Sequence, residues 1–132
     1  MKKIDHIAIA VKNLNQSQDL FSKILDKDPD KIEEIKEQDV RICFYKLNNV
    51  KIELVESINK KSVISKFIEK RGEGLHHISF EVNDIENEKR RLIDLGFEIL
   101  ETSSKGANKT KVCFINPKQT NGVLIEMNEI NS

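Results

Sequence analysis

The chain has no excess of charge of either sign: 22 Lys+Arg balance 22 Asp+Glu in 132 residues, and the pI is about 6.8. A nucleic-acid partner calls for a basic surface, so that class is set aside. Long hydrophobic runs are also missing. The longest uninterrupted one is Ile7 to Val11, far short of the roughly 20 residues that span a bilayer. At the N-terminus, Met1-Lys2-Lys3-Ile4-Asp5-His6 puts a charged Asp where a signal peptide needs its apolar stretch. Cys43 and Cys113 are too few for a disulfide scaffold and form no C-x-x-C pair. The expectation is a soluble cytoplasmic protein with no nucleic-acid or membrane partner. The 38% of hydrophobic residues can still fill one core, and the length suits one domain or two small halves.

What the sequence does contain is a repeat. Ile4-Asp5-His6-Ile7-Ala8-Ile9-Ala10-Val11 aligns with Leu75-His76-His77-Ile78-Ser79-Phe80-Glu81-Val82 at an offset of 71, and His6 falls on His77. Arg41-Ile42-Cys43-Phe44 aligns with Lys111-Val112-Cys113-Phe114 at an offset of 70. Val50-Lys51-Ile52-Glu53-Leu54 aligns with Val123-Leu124-Ile125-Glu126-Met127 at an offset of 73. Three blocks in one order at nearly constant spacing indicate a duplicated module.

Each module opens on a two-residue alternation, hence a strand, followed by a helical stretch. In the first module the polar Asn15-Gln16-Ser17 starts the helix and Leu20, Phe21, Ile24 and Leu25 share its face. In the second, Asp84 caps a helix whose face carries Ile85, Lys89, Leu92 and Leu95, and Gly96 suits its end. Three strands complete each module: about 32–36, 40–47 and 50–56, then about 97–101, 110–116 and 122–128. A short helix through Ser62–Gly72 connects the halves. The expected fold is α+β: two tandem βαβββ modules (about 1–58 and 74–129, with the connecting helix at about 61–72) forming one eight-stranded mixed sheet curved around a cavity.

Alternation gives every strand two faces. Ile7, Ile9 and Val11 share one face of the first strand, while His6 sits with Ala8 and Ala10. In its repeat, Ile78, Phe80 and Val82 oppose His77, Ser79 and Glu81. The bulky faces should pack on the helices, and the histidine faces should line the cavity. By the same alternation Glu53 opposes Ile52 and Leu54, and Glu126 opposes Ile125 and Met127. Pseudo-symmetry then sets His6, Glu53, His77 and Glu126 on one inner surface. A lone strand histidine is more often structural than a ligand, but here the repeat pairs His with His and Glu with Glu. Such a set fits a divalent ion of the Co, Zn, Ni or Mn kind, and its two carboxylates neutralise a dication. His76 points to the opposite face and reads as structural; Cys43 and Cys113 read as small buried hydrophobes.

With these residues the chain resembles the vicinal oxygen chelate superfamily, which includes glyoxalase I, extradiol dioxygenases and antibiotic-resistance proteins. It is most similar to the methylmalonyl-CoA epimerase family. That resemblance rests on Ile4–Val11, on Ser65–Ile78 with its Gly74-Leu75-His76-His77 block, and on Asn116-Pro117-Lys118 through Gly122–Glu126. It implies a metal held by His6, Glu53, His77 and Glu126, with Glu126 doubling as the acid/base. It further implies an acyl-thioester substrate inverted at its acidic α-carbon, and a homodimer. The loop around Gly106, together with Asn116 and Lys118, is implied near the CoA phosphates. Where some family members carry a second acid/base Glu, this chain has Ile42. Family glycines are replaced by Asp26 after the first helix and by Asp39 before the third strand, a family proline by Ser57, and a family histidine by Asn116. The alternative readings are a glyoxalase I-like lactoylglutathione lyase and a non-catalytic small-ligand binding protein of the same fold.

Overall fold

The structure is a computed structural model that describes residues 2–100 and 111–130. Its elements run β1 (Lys3–Val11), α1 (Leu14–Leu25), β2 (Lys31–Ile35), β3 (Val40–Leu47), β4 (Val50–Ser57), α2 (Val63–Arg71), β5 (Gly74–Val82), α3 (Ile85–Asp94), β6 (Ile99–Leu100), β7 (Lys111–Ile115) and β8 (Leu124–Glu129). The order βαβββ thus occurs twice, with α2 as the connecting helix, and the eight strands belong to one mixed sheet. None of the described helices is long and apolar enough to cross a membrane. By contact the chain divides into two compact units, Ile7–His76 and Met1–His6 with His77–Ser132.

In the unit Ile7–His76, β2, β3 and β4 pair antiparallel in that order. Val11, Leu14, Cys43, Tyr45 and Leu54 form its core, with Ile9, Phe21, Leu25 and Ile52 packed against it. Tyr45 is fully buried, yet its hydroxyl bonds to the Gln18 carbonyl at 3.0 Å and to Ser22 Oγ at 2.8 Å, so its polar end is satisfied. Asn13 caps α1 by accepting from the Gln16 amide. The helix therefore begins earlier than the polar Asn15–Ser17 start suggests, and its buried stripe is Leu14, Phe21 and Leu25. Leu20 and Ile24 flank that stripe and are 56% and 65% exposed, contrary to the sequence expectation. Ser62 caps α2 and Gly72 closes it at φ +78°.

In the other unit β5 pairs parallel with β8, β8 antiparallel with β7, and β7 antiparallel with β6. Val82, Ile85, Leu92, Cys113, Ile115 and Met127 form the core. Asp84 caps α3 through the Asn87 amide. The helix ends at Asp94, so Leu95 leaves the buried stripe and is exposed, again unlike the expectation.

The two units repeat each other in register as well as in order. Cys43 faces Leu54 and Phe44 faces Glu53; correspondingly Cys113 faces Met127 and Phe114 faces Glu126. A helix-tethering device is duplicated too. Glu56 accepts the first amide of α1, from Leu14, at 2.9 Å, and Glu129 accepts that of α3, from Ile85, at 3.0 Å. Anionic side chains at helix N-termini satisfy unpaired amides and the helix dipole together. Each glutamate also meets a cross-strand cation, Arg41 at 3.3 Å and Lys111 at 3.9 Å.

Asp26 and Asp39, the two positions where the related family usually has glycine, both adopt left-handed backbone, at φ +54° and +57°. Aspartate tolerates that region better than most residues, but glycine fits it without a Cβ penalty. Asp39 also accepts from Asn59 Nδ2, whereas Asp26 is exposed. Asp26→Gly is therefore expected to hold or raise stability, by up to about 1 kcal/mol in urea denaturation. A clear loss would show that the Asp26 side chain contributes more than its backbone strain costs.

Candidate metal centre

Strand alternation builds this site. On β8, Met127 packs into the helix-side core, so Glu126 and Asn128 point to the other face, and both are buried. On β5, Val82 joins that same core while His77 and Ser79 lie on the opposite face. His6 on β1 is 9% exposed. The three side chains meet: His6 Nε2 lies 3.1 Å from His77 Nε2 and 3.3 Å from Glu126 Oε2, and His77 Nε2 lies 3.5 Å from that oxygen.

This triangle tests whether a metal fits. Bonds of about 2.0–2.2 Å at angles between tetrahedral and octahedral set neighbouring ligand atoms roughly 3.0–3.5 Å apart, which matches all three edges. Glu126 Oε2 is also buried without a well-formed hydrogen bond. Two imidazole nitrogens and such an oxygen turned toward one another form a pre-organised cation site, and this mixed N/O set suits first-row divalent ions. Burial is the largest influence on the Glu126 carboxyl and pushes its pKa upward. The His6 and His77 imidazoles and the Ser79 hydroxyl together outweigh it, holding the group below its ordinary 4.5. Glu126 is thus an anion despite its burial.

Two contributors escaped the sequence reading. Asp5 Oδ2 bonds His6 Nδ1 at 2.7 Å, although alternation sends neighbouring residues to opposite faces. The available signal was its direct adjacency to His6. Ser79, fully buried, is the register partner of Glu126 across the parallel β5–β8 pair; only its small polar side chain among bulky neighbours marked it.

The remaining expected residues sit as follows. Glu53 is half-buried on β4 opposite Phe44, where Lys51 lies over the ring at 5.3 Å. Ala8 and Ala10, expected to line a cavity beside His6, are wholly buried. Asn116 caps a 3-10 turn at Pro117–Gln119, accepting from the Lys118 amide at 3.0 Å, and Lys118 is exposed on that turn. Gly106 lies outside the described residues. His76 packs edge-on against Phe67 at 4.9 Å, in keeping with a structural role.

Residues 5–114 match the Glyoxalase/Bleomycin resistance protein/Dioxygenase superfamily. The chain belongs to this superfamily. Among curated members, it is 37% identical over 96% of its length to a mitochondrial methylmalonyl-CoA epimerase of Dictyostelium discoideum, of which it covers 78%. It is 32% identical to an ethylmalonyl-CoA/methylmalonyl-CoA epimerase of Cereibacter sphaeroides, covering 97% of this chain and 98% of that one. Among solved superfamily structures, a variant of Streptomyces coelicolor methylmalonyl-CoA epimerase in complex with 2-nitronate-propionyl-CoA superposes with a TM-score of 0.91. It is 28% identical and 98% of each chain is covered. The superfamily fold expected from the repeat is therefore the one observed, and the named relatives are isomerases.

Cys43 and Cys113 have no exposed surface, and burial, reinforced by the Glu53 charge, pushes the Cys43 thiol up to about 11. Reactivity follows the thiolate. Ellman's reagent should therefore leave both cysteines untouched in the folded protein and titrate both in denaturant; fast reaction in native buffer would contradict their core placement.

Proposed function

We propose that this protein is a metal-dependent epimerase that inverts the acidic α-carbon of a 2-methylmalonyl-CoA-like thioester. The observation that carries the reading is the His6–His77–Glu126 triangle, with edges of 3.1 to 3.5 Å, in a chain whose relatives include methylmalonyl-CoA epimerases. His6, His77 and Glu126 would hold a divalent ion such as Co²⁺, Zn²⁺, Ni²⁺ or Mn²⁺. Glu53 joins this set because the sequence repeat and the matching register, opposite Phe44 as Glu126 is opposite Phe114, make it the counterpart of Glu126. When bound, such an ion supplies Lewis-acid stabilisation for the negative charge that develops on a thioester carbonyl as the α-proton leaves.

The chain's own residues do the rest. His6 and His77 crowd Glu126 Oε2, which leaves Oε1 to take the α-proton from one face of the carbon; inversion then requires a proton delivered to the opposite face by a second donor, a water or another acid. The two imidazoles keep the carboxylate ionised and so ready to accept. Burial of Glu126 keeps bulk water from solvating the carboxylate while charge develops on the carbon. Lys118, exposed beside Asn116, offers a cation to the phosphates of a CoA handle; Gly106 is given a substrate-binding role on the family resemblance alone. A homodimer is proposed on the family resemblance.

Incubating the Co²⁺-loaded protein with methylmalonyl-CoA in D₂O tests the reading. The α-proton should exchange, and Glu126→Gln should slow exchange by about 10²–10⁴-fold, the range for losing a positioned general base. Absence of exchange in the wild type, with turnover of a glutathione thiohemiacetal instead, would replace the epimerase with a lyase.

A further inference from the structure

His6 and His77 occupy equivalent repeat positions, but their immediate neighbours differ. Asp5 precedes His6, whereas the equivalent residue before His77 is His76, which packs on Phe67. Asp5 Oδ2 approaches His6 Nδ1 to 2.7 Å, and both side chains are 11% exposed. A carboxylate only accepts, so at this distance Nδ1 must carry the hydrogen. In a neutral imidazole that leaves Nε2 as a bare lone pair, and Nε2 is the atom that faces His77 and Glu126.

We propose that Asp5 is a positioning residue that fixes His6 in the Nδ1–H tautomer and so presents its Nε2 lone pair to the metal. The proposal rests on the reading of His6 and His77 as metal ligands. Asp5 acts through His6 and touches neither substrate nor ion. A carboxylate behind a ligating imidazole orients the ring and raises its basicity, and losing such a partner typically costs 10–100-fold in metal affinity.

Long-range proton–nitrogen correlation spectra of the metal-free protein resolve the tautomers of its three histidines. Wild type should show His6 as Nδ1–H. Asp5→Ala should release His6 from the Nδ1–H form and weaken Co²⁺ binding about 10–100-fold. Asp5→Asn keeps an acceptor oxygen, so it should retain the tautomer and fall between wild type and Asp5→Ala in affinity. Thermal unfolding of the metal-free variants separates this from misfolding, and Asp5→Asn carries the test should Asp5→Ala unfold. An unchanged His6 tautomer in Asp5→Ala, or wild-type affinity in a variant that has lost the tautomer, would overturn the proposal. A wild type that binds no Co²⁺ would instead overturn the metal centre, and the proposal with it. Wild-type binding without epimerisation would count against the substrate reading alone.

Discussion

Three ligand-type atoms are held at mutual distances of 3.1, 3.3 and 3.5 Å on one buried sheet face. Packing two imidazoles and an anionic carboxylate this closely in a dry environment is unfavourable unless something compensates. Part of the compensation is visible: Asp5 on His6, and the ionic attraction that keeps the Glu126 carboxyl low. The remainder is what a dication would supply. Much of this unit serves the arrangement. The parallel β5–β8 pair places Ser79 beside Glu126, and a parallel pair requires a crossover, which α3, β6 and β7 provide. The core under α3 takes Val82 and Met127 and thereby turns their neighbours to the opposite face.

Duplication explains why the architecture is economical to specify. The same register sets a phenylalanine against each glutamate, and the same strand-end glutamate ties each helix N-terminus to the sheet. The symmetry is broken at particular points. Asp5 corresponds to His76, so a carboxylate precedes one histidine and an imidazole packed on Phe67 precedes the other. Ala8 corresponds to Ser79, so one half has a hydroxyl in register with its glutamate where the other has a methyl.

Much of this was legible in the sequence, and the reasons are specific. The offsets of 71 and 73 pair His6 with His77 and Glu53 with Glu126, and two-residue alternation separates them from the helix-packing residues. Strand bounds came within a few residues because Asn48-Asn49 and the polar segments punctuate them. The helix faces were less legible. A start at Leu14 instead of near Asn15–Ser17 rotates the buried stripe onto Leu14, Phe21 and Leu25 and leaves Leu20 and Ile24 in solvent. Asp5 was hidden because alternation assigns it to the wrong face, while its side chain nevertheless reaches Nδ1 of its neighbour. The left-handed backbone at Asp26 and Asp39 gives a conformational reason for the glycines of the family at those positions, which residue comparison alone showed only as a departure.

The claim that His6, His77 and Glu126 together form a divalent-metal centre is tested most directly by X-ray absorption at the cobalt edge of the protein reconstituted with Co²⁺. The account predicts one tightly held ion per chain in a shell of nitrogen and oxygen only, with the multiple-scattering signature of two imidazoles. A sulfur shell, a shell without imidazole, or failure to retain the ion through desalting would contradict it.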